Sequence, residues 1–223
     1  MPLAHPNPRL FKFLRDLKRH NDRAWFDDNR ERYESDVRAP LLAFISDFGP
    51  RLAKISKRMV ADPRPVGGSL FRIHRDIRFS KDKSPYKTHA ACHFRHEDTT
   101  RDVHGPGFYL HLEPGTVFVA GGMWRPDTES LARIRAAMVE APARWRKATA
   151  GLELGGESLK RPPRGFDPAH PLAADLRRTD FITSVELDEE RACGAGFLGD
   201  VERACRTAAP LMAFLAKAVG LRW

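Results

Sequence analysis

A short stretch of alternating apolar and polar residues, joined by a turn to a second stretch with the composition of a strand, constrains the fold of this chain more than any other feature. Residues 107–113 alternate apolar Phe108, Leu110 and Leu112 with polar Tyr109, His111 and Glu113. Pro114-Gly115 suits the second and third positions of a β-turn, and residues 116–121 have the composition of a returning strand. Because successive side chains of a strand point to opposite faces, the pattern predicts an antiparallel hairpin with one apolar and one polar face.

Two further strands are predicted ahead of this hairpin, over residues 66–74 and 88–95. The second would place Ala90, Cys92 and Phe94 on one face and His89, His93 and Arg95 on the other. Since short connections favour antiparallel neighbours, we expect a mainly antiparallel sheet over residues 66–121. A separate short strand is predicted over residues 181–185.

Helices are predicted before the sheet. Apolar residues recur at helical spacing over residues 8–18 and again over residues 33–48. Pro40 is predicted to kink or restart the second of these helices, and Gly49-Pro50 is predicted to end it.

Capping residues mark further helix starts. Asn21 or Asp22 can cap a helix before the 33–48 stripe, and Asp127 or Thr128 can cap one after the sheet. A last helix is predicted over residues 201–220, where Pro210 is tolerated only at a break.

The predicted fold class is therefore α+β, with the sheet packed by N-terminal and C-terminal helices. At 223 residues, a single domain buries about 70% of its unfolded surface and needs no disulfide or metal for stability. We expect one domain over residues 1–223, in which residues 1–60 are helical, residues 66–121 form the sheet and residues 127–223 form helices and loops.

Cysteine usage and hydropathy set expectations for location. The three cysteines form no CxxC pair, so they are predicted to be reduced side chains of a cytoplasmic protein. No apolar run approaches the roughly 18 to 20 residues of a membrane helix. The N-terminus also lacks the continuous apolar core of a signal peptide. No membrane partner is expected.

The strongest functional signal is a basic segment, defined here as residues 72–87. It contains two acidic residues, Asp76 and Asp82, and six basic ones: Arg72, Arg75, Arg78, Lys81, Lys83 and Lys87. Arginine and lysine match phosphate and carboxylate groups, and the net charge of +9 also favours anionic partners. The leading hypothesis is that these six side chains bind an anionic small ligand, with a phosphorylated one favoured, in a pocket shaped by Tyr86 and Tyr109. The alternative is that the charges pair with one another and hold the loop together.

The polar face of the sheet is a candidate site for chemistry. Arg72, His74, His89, His93, Tyr109, His111 and Glu113 are predicted to share it. On one strand, His111 and Glu113 point to the same side. Imidazoles beside a carboxylate suit acid–base work near neutral pH, so His111 and Glu113 are the candidate catalytic residues. The alternative is an ordinary solvent-facing sheet surface.

Metal binding and nucleic acid binding compete with these hypotheses. Three imidazoles among His89, His93, His96, His104 and His111, or two with Glu113, could hold zinc. The chain lacks HExxH, HxH and cysteine-pair motifs, so no metal and no cofactor are predicted. No recognition helix, zinc finger or RNP-like motif occurs either. Nucleic acid or an acidic protein is therefore the partner only in the rival hypothesis, a non-enzymatic interaction module.

Several longer motifs resemble a known family. They are PVGGSLFRIHRDIRFSKDKSPYKTH at residues 65–89, GPGFYLHLEPG at 105–115 and a glycine, tryptophan and proline motif at 121–126. NDRAWFDDNRERYE at 21–34 and LKRPPRGFDPAHP at 159–171 fit the same family. With these motifs the chain resembles the uncharacterised domain-of-unknown-function family 2461. The resemblance implies a conserved bacterial protein and supplies no reaction.

Overall fold

Helices form the first quarter of the chain. The computed structural model describes residues 5–100 and 102–223. The helices are α1 (Pro8–Arg19), α2 (Arg23–Asp28), α3 (Arg30–Arg32) and, after a π-helical turn at Tyr33–Arg38, α4 (Ala39–Ala53). Side-chain oxygens of Asn7 and Asp22 accept hydrogen bonds from backbone amides at the starts of α1 and α2. The predicted capping role of Asp22 is thus confirmed.

The two prolines near α4 behave differently from each other. Pro40 is the second residue of α4 and follows the π-helical turn directly; Arg38 and Ala39 keep helical dihedral angles, so the helix changes type there and the predicted fresh start is absent. The prediction that Gly49-Pro50 ends the helix is wrong, because α4 continues to Ala53. Pro50 removes one intrahelical hydrogen bond, while Phe48 and Leu52, both fully buried, keep the turns on either side packed.

The sheet is antiparallel throughout and has five strands in sequential order. They are β1 (Met59–Val60), β2 (Ala90–His96), β3 (Gly107–Glu113), β4 (Thr116–Met123) and β5 (Phe181–Leu187). The hairpin of β3 and β4 turns at Pro114-Gly115, where Gly115 has a φ of 82°. With helices on either side of it in sequence, this sheet confirms the predicted α+β class.

The predicted sheet boundaries need two corrections. Residues 66–74 do not form a strand and make only isolated bridges, from Leu70 to Cys92 and from His74 to Tyr86. The far end of β2 pairs with β1, and residues 69–71 lie along the rest of that edge, where the amides of Phe71 and His93 donate to the carbonyls of Ala91 and Ser69. The predicted strand near residue 181 exists and completes the sheet by pairing with β4. The predicted sheet, over residues 66–121, therefore includes one strand that does not form and omits β1 and β5.

One face of the sheet carries the core. Cys92, Leu110 and Val119 point inward, and α1, α4 and α9 (Phe197–Ala218) cover them. A Cβ on Gly121 would lie 2.7 Å from Cβ of Ala208, so the missing side chain lets α9 approach β4 closely. Among residues 5–100 and 102–223, no helix packs on the other face of β2, β3 and β4.

The C-terminal region is helical, as expected. It contains α5 (Thr128–Glu140), α6 (Pro142–Ala148), α7 (Ala173–Leu176), α8 (Glu189–Ala192) and α9. Asp127 caps α5 through a 2.9 Å bond from the Ser130 amide. Helix α9 runs through Pro210 without ending, so the expected break there is absent.

The state of the cysteines and the hydropathy of the helices relate to the predicted cellular location. Cys92 and Cys205 are buried, Cys193 is partly buried, and all three are free thiols. Across residues 5–100 and 102–223, no helix is both long and apolar enough to cross a membrane. The cytoplasmic location and the single-domain organisation stay predictions.

Candidate functional site

The helix-free face of the sheet brings several predicted residues together. The register pairs His93 with Tyr109 and His111 with Phe118, all on this face. The rings of His89 and His111 lie 4.6 Å apart. The sheet therefore juxtaposes His89, His93, Tyr109, His111 and Glu113 as the alternation predicted, because the period of two holds along both strands.

A concave site of about 480 Å³ opens on this face and is called the sheet pocket here. Its floor is made of residues with little or no side chain: Gly107, Ala120, Gly121 and Gly122. Its walls are Phe71, Phe118, Trp124, Val103 and Ile182, and its polar lining is Lys87, His89, His93 and Tyr109. A volume of this size suits a small organic molecule.

Lys87 supplies the positive charge of the sheet pocket. Its ammonium donates a 2.9 Å hydrogen bond to the carbonyl oxygen of Arg72 and lies 5.1 Å from the ring centre of Phe71. Within residues 5–100 and 102–223, no carboxylate forms an ion pair with this half-buried ammonium. Burial and the nearby Arg72 lower the pKa of Lys87. The pocket therefore contains a cation that the described residues leave without a counter-ion.

His93 is a neutral hydrogen-bonding group at the back of the sheet pocket. Its Nδ1 accepts a 3.0 Å hydrogen bond from Nε of Arg95, which leaves the proton on Nε2. Burial, with a smaller effect of Arg95, lowers the pKa of His93 to about 3. A Cβ on Gly107 would overlap the His93 ring, so glycine is needed at that position.

Acid should destabilise the fold through His93. The folded pKa is about 3, whereas the unfolded side chain titrates near 6.5, so the unfolded state binds more protons between these values. The free energy of unfolding should therefore fall as the pH drops below about 6.5, by up to about 1.4 kcal/mol per pH unit from this residue. Asparagine at position 93 cannot titrate, yet it can accept from Arg95, so His93→Asn should remove this contribution to the pH dependence.

Urea unfolding at about pH 7 and about pH 5 measures this difference. His20→Asn, at an exposed position at the end of α1, is the matched control and should keep the wild-type pH dependence. A His93→Asn variant with an unchanged pH dependence would contradict the buried, neutral state of His93.

Beside the sheet pocket lies a hydrogen-bonded row on β3. The Tyr109 hydroxyl lies 3.1 Å from Nδ1 of His111, and Nε2 of His111 lies 3.4 Å from Oε2 of Glu113. Thr88 donates a 2.9 Å hydrogen bond to Oε1 of Glu113. His89, His111 and Glu113 are called the imidazole–carboxylate cluster here. The cluster adjoins the pocket, since His89 belongs to both and Tyr109 lines the pocket beside His111.

Burial keeps the imidazoles of this cluster neutral. It lowers the pKa of His89 to about 4, helped by the neighbouring His111 and Lys87. Burial also lowers the pKa of His111, although the hydrogen bond to Glu113 partly offsets this. The pKa of Tyr109 is raised to about 12 by burial. At neutral pH this face of the sheet therefore presents uncharged imidazoles beside one carboxylate.

Most cations of the basic segment engage their own loop. Arg75 pairs with Asp82 and donates to the carbonyl of Ser84, and Arg78 pairs with Asp76. Lys83 donates a 3.0 Å bond to the carbonyl of Ile77. These contacts lie at the surface, where Asp76 and Asp82 keep 47% and 61% of their side chains exposed. Backbone hydrogen bonds donated by the amides of Arg75 and Lys87 join the two arms of the segment.

The remaining predicted ligand residues lie outside the sheet pocket. Arg72 and His74 line a separate cleft of about 520 Å³, which Phe71 divides from the pocket. Arg72 and His111 therefore do not converge on one site. Tyr86 is buried against Phe26, with ring centres 4.1 Å apart. Lys81 is exposed on the loop.

Sequence reasoning missed the aromatic walls and the glycine floor of the pocket. Phe71 comes from the irregular segment along the edge of β2, and Trp124 from the turn after β4. One signal was available, because Phe118 falls on the polar face when the alternation of β4 is followed. An exposed aromatic residue beside histidines points to a binding surface.

The fold and site together define a class of protein: an α+β protein whose antiparallel sheet is covered by helices on one face and carries an aromatic pocket beside neutral histidines on the other. A comparison with family models agrees with the motif resemblance. The model for the conserved hypothetical protein family DUF2461 matches residues 9–214, and the chain belongs to this family. A search of the curated proteins finds no significant match.

Proposed function

We propose that the sheet pocket binds a small organic anion with a flat, apolar body. The observation that carries this proposal is Lys87, a half-buried cation without a carboxylate partner among the described residues. Partial removal of a charge from water is unfavourable, and a counter-charge offsets that loss of solvation. An anionic group of a ligand would supply that counter-charge, and the +9 net charge of the chain attracts such ligands.

The walls of the pocket favour a planar ligand body. Phe71, Phe118 and Trp124 offer aromatic surfaces around a floor without side chains. Aromatic rings prefer to stack on flat partners, and their burial adds apolar contact area. His93 Nε2–H and the Tyr109 hydroxyl would then orient polar groups of the ligand.

The concave shape distinguishes this proposal from the rival interaction module. Nucleic acid or an acidic protein would need an open basic surface, whereas Lys87 is recessed among aromatic residues. Of the six cations of the basic segment, Lys87 is the one that lines the sheet pocket, so the proposal places the charged end of the ligand at Lys87. A proton-transfer role for His111 and Glu113 stays a prediction.

Replacing Lys87 tests the proposal. A thermal-shift screen of the full chain would use phosphorylated and carboxylated aromatic compounds, nucleotides, sugar phosphates and a nucleic acid duplex. A ligand at about 100 times its Kd stabilises a protein by about 2.7 kcal/mol, which a melt detects. Lys87→Met keeps the aliphatic stem and should weaken the best ligand about 10- to 100-fold, the effect of one charged hydrogen bond.

Lys83→Met is the matched control, since Lys83 is exposed on the same segment and does not line the pocket. It should bind the ligand as the wild-type protein does. Equal losses in both variants would indicate general electrostatic attraction rather than a pocket. Stabilisation by the nucleic acid duplex alone would favour the interaction module.

A further inference from the structure

We infer that His89, His111 and Glu113, the imidazole–carboxylate cluster, form a binding site for one divalent transition-metal ion. This inference goes beyond the proposed ligand and does not depend on it. Two neutral imidazoles and one carboxylate are the donor set of many catalytic zinc and non-haem iron sites.

The distances within the cluster fit a metal ion. One candidate ligand atom from each of the three residues lies within 4.8 Å of the other two. Bonds of about 2.0 to 2.2 Å in a tetrahedral site put neighbouring ligand atoms roughly 3.3 Å apart. His111 Nε2 and Glu113 Oε2 already lie 3.4 Å apart. His89 must then move inward by up to about 1.5 Å to complete this geometry.

His89 is placed to make that movement. It precedes β2 directly, so the register places it opposite Glu113 at the end of the sheet. No hydrogen bond within residues 5–100 and 102–223 holds its ring nitrogens, and the ring packs 4.6 Å from that of His111 at an angle of 33°. Rotation of this side chain therefore breaks no hydrogen bond to the described residues.

A second layer of hydrogen bonds orients the other two ligands. Tyr109 lies against Nδ1 of His111, so a metal ion on Nε2 would leave Nδ1–H donating to the phenol oxygen. Thr88 holds Oε1 of Glu113, which leaves Oε2 for the metal. Lys18, 4.0 Å away, also faces Oε1 rather than Oε2. Outer partners of this kind fix ring orientation and raise metal affinity.

Three protein ligands leave coordination positions open. The cluster borders the sheet pocket through His89, while Tyr109 stands between the pocket and His111. Water or an oxygen of a small ligand could occupy an open position. The site thus has the composition of a catalytic metal centre rather than of a closed structural one.

Titration of the metal-free protein with metal alone tests the inference. The full chain, treated with chelator and dialysed, would be titrated with ZnCl₂ by calorimetry and with CoCl₂ by visible spectroscopy, without any organic ligand. We expect one equivalent of zinc, and cobalt bands with the strong intensity of a four- or five-coordinate site. His89→Ala and Glu113→Gln should each weaken zinc binding at least 10-fold.

The controls separate this site from chance binding. Glu113→Gln keeps the shape of the side chain and its acceptor for Thr88, so it should fold even if His89→Ala does not. His20→Gln removes an exposed histidine elsewhere and should leave the zinc affinity unchanged. Absence of stoichiometric zinc binding, or equal affinity in the Glu113→Gln variant, would overturn the inference. Because the titration contains metal and no organic ligand, failure of the ligand proposal would leave the metal result intact.

Discussion

Gly122→Ala is expected to lower the free energy of unfolding by about 3 kcal/mol or more. Gly122 has a φ of 146°, which L side chains rarely adopt. A Cβ there would overlap the carbonyl oxygen of Phe181 and lie 2.8 Å from Cα of Ile182. Because β4 pairs with β5 at this point, the strands would have to separate to admit a methyl group. Urea unfolding followed by circular dichroism measures the loss.

Gly115→Ala is the matched control for this prediction. Gly115 also has a positive φ, of 82°, but a Cβ there would meet nothing within 4 Å. Only the left-handed backbone would be strained, at a cost of about 1 to 2 kcal/mol. Equal stability of the two variants would show that the approach of β5 to Gly122 is not tight. Since Gly122 also lies in the pocket floor, its substitution should reduce ligand binding as well.

Asp180→Ala should cost about 3 kcal/mol and loosen one wall of the sheet pocket. Asp180 is only 2% exposed, and its two carboxylate oxygens accept 2.7 Å hydrogen bonds from the amides of Arg125 and Glu157. Arg125 has a φ of 49° and directly follows Trp124, whose ring lines the pocket. The carboxylate therefore holds an unfavourable backbone conformation next to the site. Alanine would leave both amides without their acceptor.

Asp127→Ala provides the comparison for Asp180. Asp127 also accepts a hydrogen bond from a backbone amide, at the start of α5, but it is exposed. Loss of a helix cap of this kind costs about 1 kcal/mol. Thermal and urea unfolding of both variants, with the intrinsic fluorescence of the tryptophans, would compare stability and local order. An Asp180→Ala variant no less stable than Asp127→Ala would contradict the buried role of this carboxylate.

The site that Gly122 and Asp180 support is formed by backbone positions that tolerate little displacement. The sheet pocket exists because glycines and an alanine leave space above β3 and β4, while Phe71 and Trp124 reach over that space from irregular segments. Such a pocket is sensitive to small displacements of β5 and of the turn after β4. The charged loop tip, by contrast, is held by surface ion pairs and should tolerate substitution better.

Local sequence patterns predicted the secondary structure where local physics decides it. The alternation of β3 and the Pro114-Gly115 turn predicted the hairpin, because strand side chains alternate regardless of context. Asp22 and Asp127 predicted helix starts, since each carboxylate reaches amides two or three residues away. The same local rules failed at residues 66–74, where a strand-like composition makes isolated bridges rather than a continuous ladder.

By itself, the sequence determined the α+β class, the hairpin and the grouping of His93, Tyr109, His111 and Glu113 on one face. Each of these follows from spacing along the chain. Only the tertiary structure decided that Lys87 lacks a carboxylate partner among the described residues, that Phe71 and Trp124 enclose it, and that His89 reaches the cluster. These facts depend on where distant segments cross, and that is set by the packing of the whole core rather than by any local preference of the residues that form the site.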